Sequence, residues 1–326
     1  MISATNEEFE TLTDPFRREL LAHCYRMLGS IQDAEDLVQE VYLRAWRSFD
    51  RFEGRSSIRV WLYKIATMTC LSALEARRRR PLPSDLSAPS HDPGQTLAPD
   101  EPGIAWMQPI PDALITASTR DPAAAVASRA GIRLAFIAAL QRLSARQRAV
   151  LILRDVLSMR AAEVAEILDT STVAVNSALQ RARAQLEVGR PAQDETVEPI
   201  EAELRVIIDR YVDAFERADV GALVGLLRAD VELEMPPTPT WFTGRDAVVG
   251  FIASRVLVSP DRWRLLPTRA NGQQAVATYE RGDDGRYLAH GVHVLSLIGG
   301  KISRITVFND SDLLPVFGQE RVLTRA

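Results

Sequence analysis

Apolar residues recur at helical spacing along the first 80 positions of the chain. The first stripe consists of Phe16, Leu20, Leu21, Tyr25 and Leu28. Gly29 is expected to end that helix, and Ser30 is expected to cap the next one. The second stripe consists of Ala34, Leu37, Val38, Val41 and Ala45. A third helix is predicted from Ser56 or Ser57 to about Arg79, because Pro81 cannot continue it.

Residues 122–189 show helical periodicity again. One stripe consists of Ile132, Phe136, Ala139, Leu140 and Leu143. Further on, residues 164–168 and 175–186 each present one apolar side, and a tight turn is predicted between them at 169–171. A brief turn next to the small Ala165 is typical of a helix-turn-helix, since the two helices must cross closely.

The pattern changes in the last third of the chain. A helix is predicted over 200–218, but from Trp263 onward apolar and polar residues alternate with a period of two. Turn signals at 271–272, 283–285 and 299–300 divide this stretch into an antiparallel meander. Helices followed by a sheet predict an α+β domain.

Two proline-rich stretches separate these blocks. Residues 81–121 have a composition that favours extended backbone, which predicts an acidic linker. The segment "IAWMQPIPDAL" within it is too apolar for a linker that is fully exposed to solvent. We therefore expect part of this segment to pack against a folded domain. Residues 191–199 form a second linker. The predicted blocks are therefore 1–80, 81–121, 122–190, 191–199 and 200–326.

Composition and charge limit the classes of protein to which the chain can belong. The chain has 326 residues, of which 46% are hydrophobic and 25% charged, as in ordinary soluble proteins. No apolar run is long enough to span a bilayer, so a cytoplasmic location is expected. Cys24 and Cys70 lie in helical patterns, which argues against a disulfide framework or a metal site, and no cofactor is expected. The net charge of −4 conceals two basic blocks, +4 over 14–80 and +5 over 123–190, between acidic segments.

Aromatic rings accompany the cations in the first basic block. The stretch "VYLRAWRSFDRFEGRSSIRVWLYKIATMTCLSALEARRRR" ends in four consecutive arginines and contains Trp46, Phe49, Phe52, Trp61 and Tyr63. Rings stack on unpaired bases and cations follow phosphates, which favours nucleic-acid binding. The alternative is that the rings are core and the arginines a solvated helix end; we expect Trp46 and Trp61 to be mostly core.

Three motifs in fixed order resemble a known family. "DAEDLVQEVYLRAW", "VWLYKIAT" and "LSARQRAVLILRDVLSMRAAEVAEILDTSTVAVNSALQRARAQL" are similar to regions 2 and 4 of extracytoplasmic-function sigma factors, the promoter-specificity subunits of bacterial RNA polymerase. The C-terminal part resembles the SnoaL-like cone fold. The resemblance implies a multidomain protein: two all-α sigma modules, a region 2 helical bundle and a region 4 helix-turn-helix, followed by an α+β cone with a curved antiparallel sheet.

The resemblance also implies surfaces for DNA and for polymerase. The loop 48–57 would capture a flipped base of the minus-ten element, with phosphate contacts from Arg59, Lys64, Arg77, Arg78, Arg79 and Arg80. The recognition helix would enter the minus-thirty-five major groove, where Ser171, Thr172, Asn176, Ser177 and Gln180 can reach base edges and Arg181 and Arg183 suit phosphates. An acidic face would dock on core RNA polymerase through Asp33, Asp36, Gln39 and Glu40. The alternative for the recognition helix is that it belongs to a purely structural three-helix bundle. The alternative for the acidic face is that it is only solvated and binds no partner.

Cones of this fold enclose a pocket, which raises the question of a ligand or an enzyme. Candidate pocket residues are Glu234, Trp241, Trp263, Tyr279, His293 and Asp310. No acid–base spacing is visible, so we expect a packed, non-catalytic domain that regulates the sigma modules in cis through an intramolecular contact. A small-molecule ligand is left open. The alternative function is a DNA-binding regulator fused to a small-molecule-binding or catalytic domain.

Overall fold

A computed structural model describes residues 2–52, 54, 56–75, 79–115, 131–187 and 201–323. The chain divides into two compact units, the first formed by 1–80 and 112–191 and the second by 81–111 and 192–326. Each unit is thus built from two separate stretches of sequence. No described helix combines the length and apolarity that a membrane span requires.

The first unit is helical throughout its described part, as predicted. Its helices are α1 (Ile2–Thr13), α2 (Arg17–Leu28), α3 (Ile31–Ser48), α4 (Ile58–Glu75), α5 (Asp112–Ile115), α6 (Leu134–Gln141), α7 (Ala145–Leu151), α8 (Ala161–Ile167) and α9 (Thr172–Glu187). A π-helical turn, Ile152–Val156, continues α7. Residues 76–78, near the predicted end of the third helix, lie outside the described residues, as does the start of the predicted helical block at 122.

Local signals place the helix ends of the first unit. Gly29 adopts a left-handed conformation (φ 72°) and its N–H closes α2 on the carbonyl of Tyr25 at 2.7 Å. Ser30 caps α3 by accepting the Asp33 N–H at 3.2 Å. Both predicted signals are confirmed. They fix the sharp corner at which α2 and α3 pack against each other.

The helix-turn-helix consists of α8 and α9. Val164, Ala165 and Ile167 of α8 are buried, as are Val175, Leu179 and Ala182 of α9. Asp169 takes a left-handed conformation (φ 48°) in the turn, and the Thr170 N–H bonds to the carbonyl of Ala165 at 2.9 Å. The buried sides of the two helices match the predicted stripes, which leaves the opposite side of α9 exposed.

The second unit contains helices and a seven-stranded sheet. Its elements are α10 (Glu201–Glu216), α11 (Val220–Leu226), β1 (Leu227–Met235), β2 (Thr238–Thr243), α12 (Arg245–Phe251), β3 (Trp263–Ala270), β4 (Gln273–Arg281), β5 (Tyr287–Ile298), β6 (Lys301–Phe308), α13 (Leu313–Val316) and β7 (Val322–Leu323). The predicted α+β order is confirmed, and so is the antiparallel meander β3–β6.

The sheet differs from the expected curved antiparallel sheet in one strand pairing. The strand order is β2-β1-β6-β5-β4-β3, with β7 paired to β5, and β1 runs parallel to β6. β1 and β6 are not joined by a tight hairpin: β2, α12 and the strands β3–β5 lie between them in the chain. This long connection allows β6 to run in the same direction as β1. The sheet is therefore mixed and open, with β2 and β3 as its edges.

One hydrophobic core holds the second unit together. Helix residues Tyr211 and Phe215 pack with sheet residues Leu233 and Ile305 and with Phe251 of α12 in a single buried cluster. Burial of such side chains from water is the main driving force for this packing. The cluster lies on the face of the sheet that α10 and α12 cover.

Candidate nucleic-acid and polymerase interfaces

The recognition helix α9 presents a polar surface. Thr172, Asn176 and Gln180 are exposed, and Ser177 is half-buried. Ser171 is exposed and caps the helix, because its Oγ accepts the Ala174 N–H at 3.2 Å. In the part of the chain that the structure describes, Asn176 and Gln180 have no recorded hydrogen-bond partner, so their amides are available to base edges.

The two arginines of α9 differ in their surroundings. Arg183 donates two hydrogen bonds to Asp155, at 2.9 Å from Nε and 2.6 Å from Nη2. The hydrogen bond that Arg183 donates to Asp155 raises the pKa of Arg183, with a further contribution from the carboxylate charge. Arg181 is exposed and has no recorded partner among the described residues. Arg181 is therefore the cation of this helix that a phosphate reaches without breaking an ion pair.

The predicted cations around α4 are also unequal. Arg59 donates to Glu19 Oε2 at 3.0 Å and lies over the ring of Tyr63 at 5.1 Å. Lys64 and Arg79 are exposed, and the remaining two predicted phosphate contacts, Arg77 and Arg78, lie outside the described residues.

Aromatic residues near α4 form a cluster. The rings of Phe52 and Trp61 lie 4.9 Å apart, and Phe9 packs on Trp46 at 5.3 Å and on Phe49 at 5.2 Å. All of them except Phe9 are half-buried. Trp46 and Trp61 were expected to be mostly core, but both are half-buried, and each keeps part of its surface accessible.

The acidic face of α3 divides into free and paired residues. Asp36 and Gln39 are exposed. Glu40 is also exposed, but it forms an ion pair with Arg44, one turn further along the helix, at 2.5 Å. Asp33 forms an ion pair with Arg80, at 2.5 Å. Asp33 was predicted to contact polymerase and Arg80 to contact DNA, but in this structure their charges neutralise each other. The two residues lie 47 positions apart, so the sequence pattern gave no sign of this pairing.

Sequence reasoning missed two buried arginines that join the helices on either side of the linker. Arg148 of α7 donates to the carbonyl of Met27 and, at 2.7 Å, to Gln141 Oε1. Arg26 of α2 donates to the carbonyl of Gly131 at 2.8 Å. Burial lowers the pKa of each arginine to about 10, so both remain charged at neutral pH. The signal in the sequence was an arginine placed inside an otherwise apolar stripe.

The candidate pocket residues do not converge on one site. His293 bonds through Nδ1 to the hydroxyl of Tyr211 at 2.9 Å, inside the core. Burial lowers the pKa of His293 to about 3, with a smaller effect from His290. Trp263 donates to the carbonyl of Val256 at 2.8 Å. This arrangement is a packed interior held by internal hydrogen bonds.

The other pocket candidates serve different contacts. The Tyr279 hydroxyl donates to the carbonyl of Glu320 at 2.9 Å, and Asp310 accepts the Asp312 N–H at 2.9 Å in a turn after β6. Glu234 alternates with the core residues of β1 and therefore lies on the other face of the sheet. It is fully buried there, beside Arg304 at 3.8 Å.

Within the second unit, residues 81–111 bind to the C-terminal domain at several points. The Ser84 N–H donates to Glu234 Oε1 at 3.1 Å, and Trp241 Nε1 donates to the carbonyl of Ser87 at 2.9 Å. Ser90 pairs in parallel with Phe242, which extends the sheet beyond its β2 edge. The apolar segment "IAWMQPIPDAL" docks as expected: the Ile110 N–H donates to Asn271 Oδ1 at 3.0 Å. The proline-rich stretch is thus a folded part of the C-terminal unit.

Comparisons with known proteins agree with this architecture. Residues 12–80 match Sigma-70 region 2, residues 133–186 match Sigma-70, region 4, and residues 208–305 match a SnoaL-like domain. The ECF RNA polymerase sigma factor SigG of Mycobacterium tuberculosis (strain ATCC 25618 / H37Rv) is 50% identical over 313 residues, which are 95% of this chain and 84% of the relative.

A second relative also extends across all three domains. The ECF RNA polymerase sigma factor SigJ of the same strain is 30% identical over 256 residues, covering 76% of this chain and 72% of the relative. The crystal structure of the Mycobacterium tuberculosis extracytoplasmic function sigma factor SigJ superposes with a TM-score of 0.59 at 25% identity, covering 96% of this chain and 99% of that one.

The two helical modules and the mixed-sheet domain define a bacterial sigma factor with a fused SnoaL-like domain. Sigma factors bind core RNA polymerase and promoter DNA and direct transcription initiation. The chain belongs to the ECF family of RNA polymerase sigma factors.

Proposed function

We propose that the SnoaL-like domain regulates this sigma factor in cis by holding the segment that connects region 2 to region 4. The observation that carries the proposal is the set of hydrogen bonds between residues 81–111 and the domain, from Ser84 on Glu234 to Ile110 on Asn271. A connecting segment that is bound along its length cannot extend. Binding and release of this segment would therefore change how far the two modules can separate.

Promoter geometry requires such a separation. The minus-ten and minus-thirty-five elements lie about 25 base pairs apart, which is roughly 85 Å of duplex at 3.4 Å per base pair. In this structure regions 2 and 4 pack directly on each other through Arg148 and Arg26. A folded unit of about 150 residues has a radius of gyration of about 15 Å. The packed unit is too small to reach both elements, so we infer that it opens when promoter DNA is bound.

We assign the two DNA elements to the two modules. Region 4 would read the upstream element through α9, where Asn176 and Gln180 face bases and Arg181 faces a phosphate. Region 2 would hold the downstream element through the aromatic cluster before α4, with Lys64 as an exposed cation. Both modules have a basic net charge, which supports phosphate binding.

We assign core polymerase binding to the exposed part of the acidic face, Asp36, Gln39 and Glu40. Acidic residues are repelled by DNA phosphates, so a protein partner fits this surface better than a nucleic acid. Asp33 would join the contact only if Arg80 released it. Action on polymerase would place the protein in the cytoplasm.

For the SnoaL-like domain we propose a non-catalytic role. Four of its candidate residues form structural hydrogen bonds. Glu234 and Trp241 bind the connecting segment, while His293 and Trp263 form hydrogen bonds within the domain. A small-molecule ligand remains a prediction. If one exists, we expect it to act by changing how tightly the domain binds residues 81–111.

The test compares two tryptophan substitutions in the full-length protein. Trp241→Phe removes the hydrogen bond to Ser87, whereas Trp263→Phe removes an equivalent bond to Val256 that does not involve the connecting segment. A lost hydrogen bond of about 0.5–1.5 kcal/mol shifts a binding equilibrium about 2- to 10-fold. We expect Trp241→Phe to raise transcription from a cognate promoter in vitro by up to that factor and Trp263→Phe to leave it near the wild-type level.

A second substitution acts at the far end of the segment. Asn271→Gly removes the acceptor for the Ile110 N–H and preserves the backbone, because Asn271 already adopts φ 56°. It should add to the effect of Trp241→Phe. Equal transcription by wild type, Trp241→Phe and the double variant would refute regulation through this segment, and a loss of activity would refute the restraining direction.

A further inference from the structure

The recognition helix carries an apolar side chain that folding does not explain. Val173 is 72% exposed, more than any other large hydrophobic residue that the structure describes. Valine is also a weaker helix former than alanine or the long polar residues, since its branched Cβ restricts side-chain rotation. A valine with this exposure at the second position of α9 stabilises neither the core nor the helix.

Val173 lies on the surface that faces away from the buried side of α9. It precedes Asn176 by three residues and Gln180 by seven, so the three side chains share one face of the helix. The buried residues Val175 and Leu179 point the other way. The N-terminal half of a recognition helix is the part that approaches base edges in the major groove.

Base chemistry identifies the partner of such a side chain. In the major groove of unmodified DNA, only thymine presents a methyl group, and apolar side chains recognise it by contact. We propose that Val173 is a specificity-determining residue that reads the methyl group of a thymine in the upstream promoter element. The proposal rests on the assignment of α9 to that element.

The position of Asn176 narrows the proposal. Three residues along a helix correspond to a rise of about 4.5 Å, which is close to the 3.4 Å spacing of base pairs. An asparagine amide suits adenine, to which it can make paired hydrogen bonds. We therefore place the Val173 thymine next to the base pair that Asn176 reads.

The experiment removes only the methyl group. The preferred upstream element is first selected from a random library by polymerase holoenzyme containing the full-length protein. Each thymine in it is then replaced, one at a time, by deoxyuridine, which keeps the base pair and lacks the methyl. Loss of one buried methyl group, worth about 0.8 kcal/mol, should weaken binding about fourfold at one position.

A matched protein variant completes the test. Val173→Ala removes both γ-methyl groups and favours the helix, so it should fold normally. We expect it to bind thymine- and deoxyuridine-containing elements equally well. If no single deoxyuridine weakens the wild type, or if Val173→Ala shows the same loss, the proposal is wrong. It is also wrong if Val173→Ala lowers affinity for core polymerase instead, because the apolar contact would then be with protein.

Failure of the underlying assignment would look different. If the holoenzyme selects no upstream element, or if Arg181→Ala and Asn176→Ala both leave binding and sequence preference unchanged, then α9 does not read DNA. If an element is selected and Arg181→Ala weakens binding while deoxyuridine has no effect, α9 still binds DNA. In that case only the proposed role of Val173 is wrong.

Discussion

The guanidinium of Arg148 donates a hydrogen bond to the backbone carbonyl of Met27, which lies 121 positions earlier in the chain. Its second nitrogen bonds to the carbonyls of Gln141 and Leu143, both at 3.3 Å. One buried side chain thus satisfies the end of α2 in region 2 and the end of α6 in region 4. The two modules are therefore joined by buried hydrogen bonds from this one residue.

Replacing Arg148 with Met should loosen this packing. Methionine fills similar space but leaves buried carbonyls without donors, each costing about 1–3 kcal/mol. We expect the free energy of unfolding, measured by urea denaturation, to fall by at least about 3 kcal/mol, since three carbonyls lose this donor. Arg146→Met is the control, since Arg146 is an exposed residue of the same helix with one hydrogen bond, to Leu168. A loss as large in the control as in Arg148→Met would contradict the assigned role.

Two buried histidines should make stability sensitive to acid. His23 bonds to the Thr67 hydroxyl at 3.0 Å, and burial, with a smaller effect of Arg26, lowers its pKa to about 3, as burial does for His293. In the unfolded chain a histidine has a pKa of about 6.5, so between pH 6.5 and 3 the unfolded state binds more protons. Stability is complete above pH 6.5 and falls as the pH drops. At pH 5 each histidine should cost about 2 kcal/mol.

Urea denaturation at pH 7.5 and pH 5 measures this effect. His23→Gln and His293→Gln should each reduce the difference between the two pH values, even where they lower stability at pH 7.5. His91→Gln, at an exposed position, should leave the difference unchanged. An undiminished difference in both buried variants would show that other groups cause the acid sensitivity.

Substitutions in α9 should separate affinity from sequence preference. Arg181→Ala should weaken upstream-element binding uniformly across sequences and reduce the salt slope by about 1. Arg183→Ala should have a smaller effect, because Asp155 already occupies that guanidinium. Asn176→Ala should change the preferred base at one position. An unchanged salt slope for Arg181→Ala, measured by fluorescence anisotropy from 50 to 200 mM salt, would argue against a phosphate contact.

The acidic face can be tested with a charge-matched control. Asp36→Ala combined with Gln39→Arg should weaken co-purification with core polymerase while leaving helicity unchanged. The pair Asp209→Ala and Glu203→Gln changes the net charge by the same amount on the exposed side of α10. Polymerase binding that survives the first pair, or is lost equally with the second, would remove the assignment of this face.

Local signals explain why so much of the fold could be predicted. Stripes at helical spacing, the stop at Gly29, the cap at Ser30 and the turn at Asn271 act over a few residues, so the sequence displays them directly. The pattern of α9 likewise predicts its buried and exposed sides. The family resemblance supplied the order of the domains.

Long-range pairings explain what was missed. The bond of Asp33 to Arg80 and that of Ser84 to Glu234 join residues far apart in sequence, and nothing near either residue indicates its partner. The parallel pairing of β1 with β6 depends on strand order, which alternation along one strand does not encode. Proline-rich composition predicted an extended linker, but the stretch includes a 3-10 helical turn at Pro83–Asp85 and pairs at Ser90 with the edge of the sheet.

The contact between Ser87 and Trp241 spans 154 positions, so the ribosome completes the binding site for the connecting segment long after the segment itself. At about 5–20 residues per second, the interval is roughly 8–30 s. During that time a nascent chain carries a finished region 2 and a segment with nothing to bind. If the domain restrains the sigma modules as proposed, synthesis that stops before β2 would release a sigma factor without that restraint. Complete translation of the last third would then be required to keep the protein inactive.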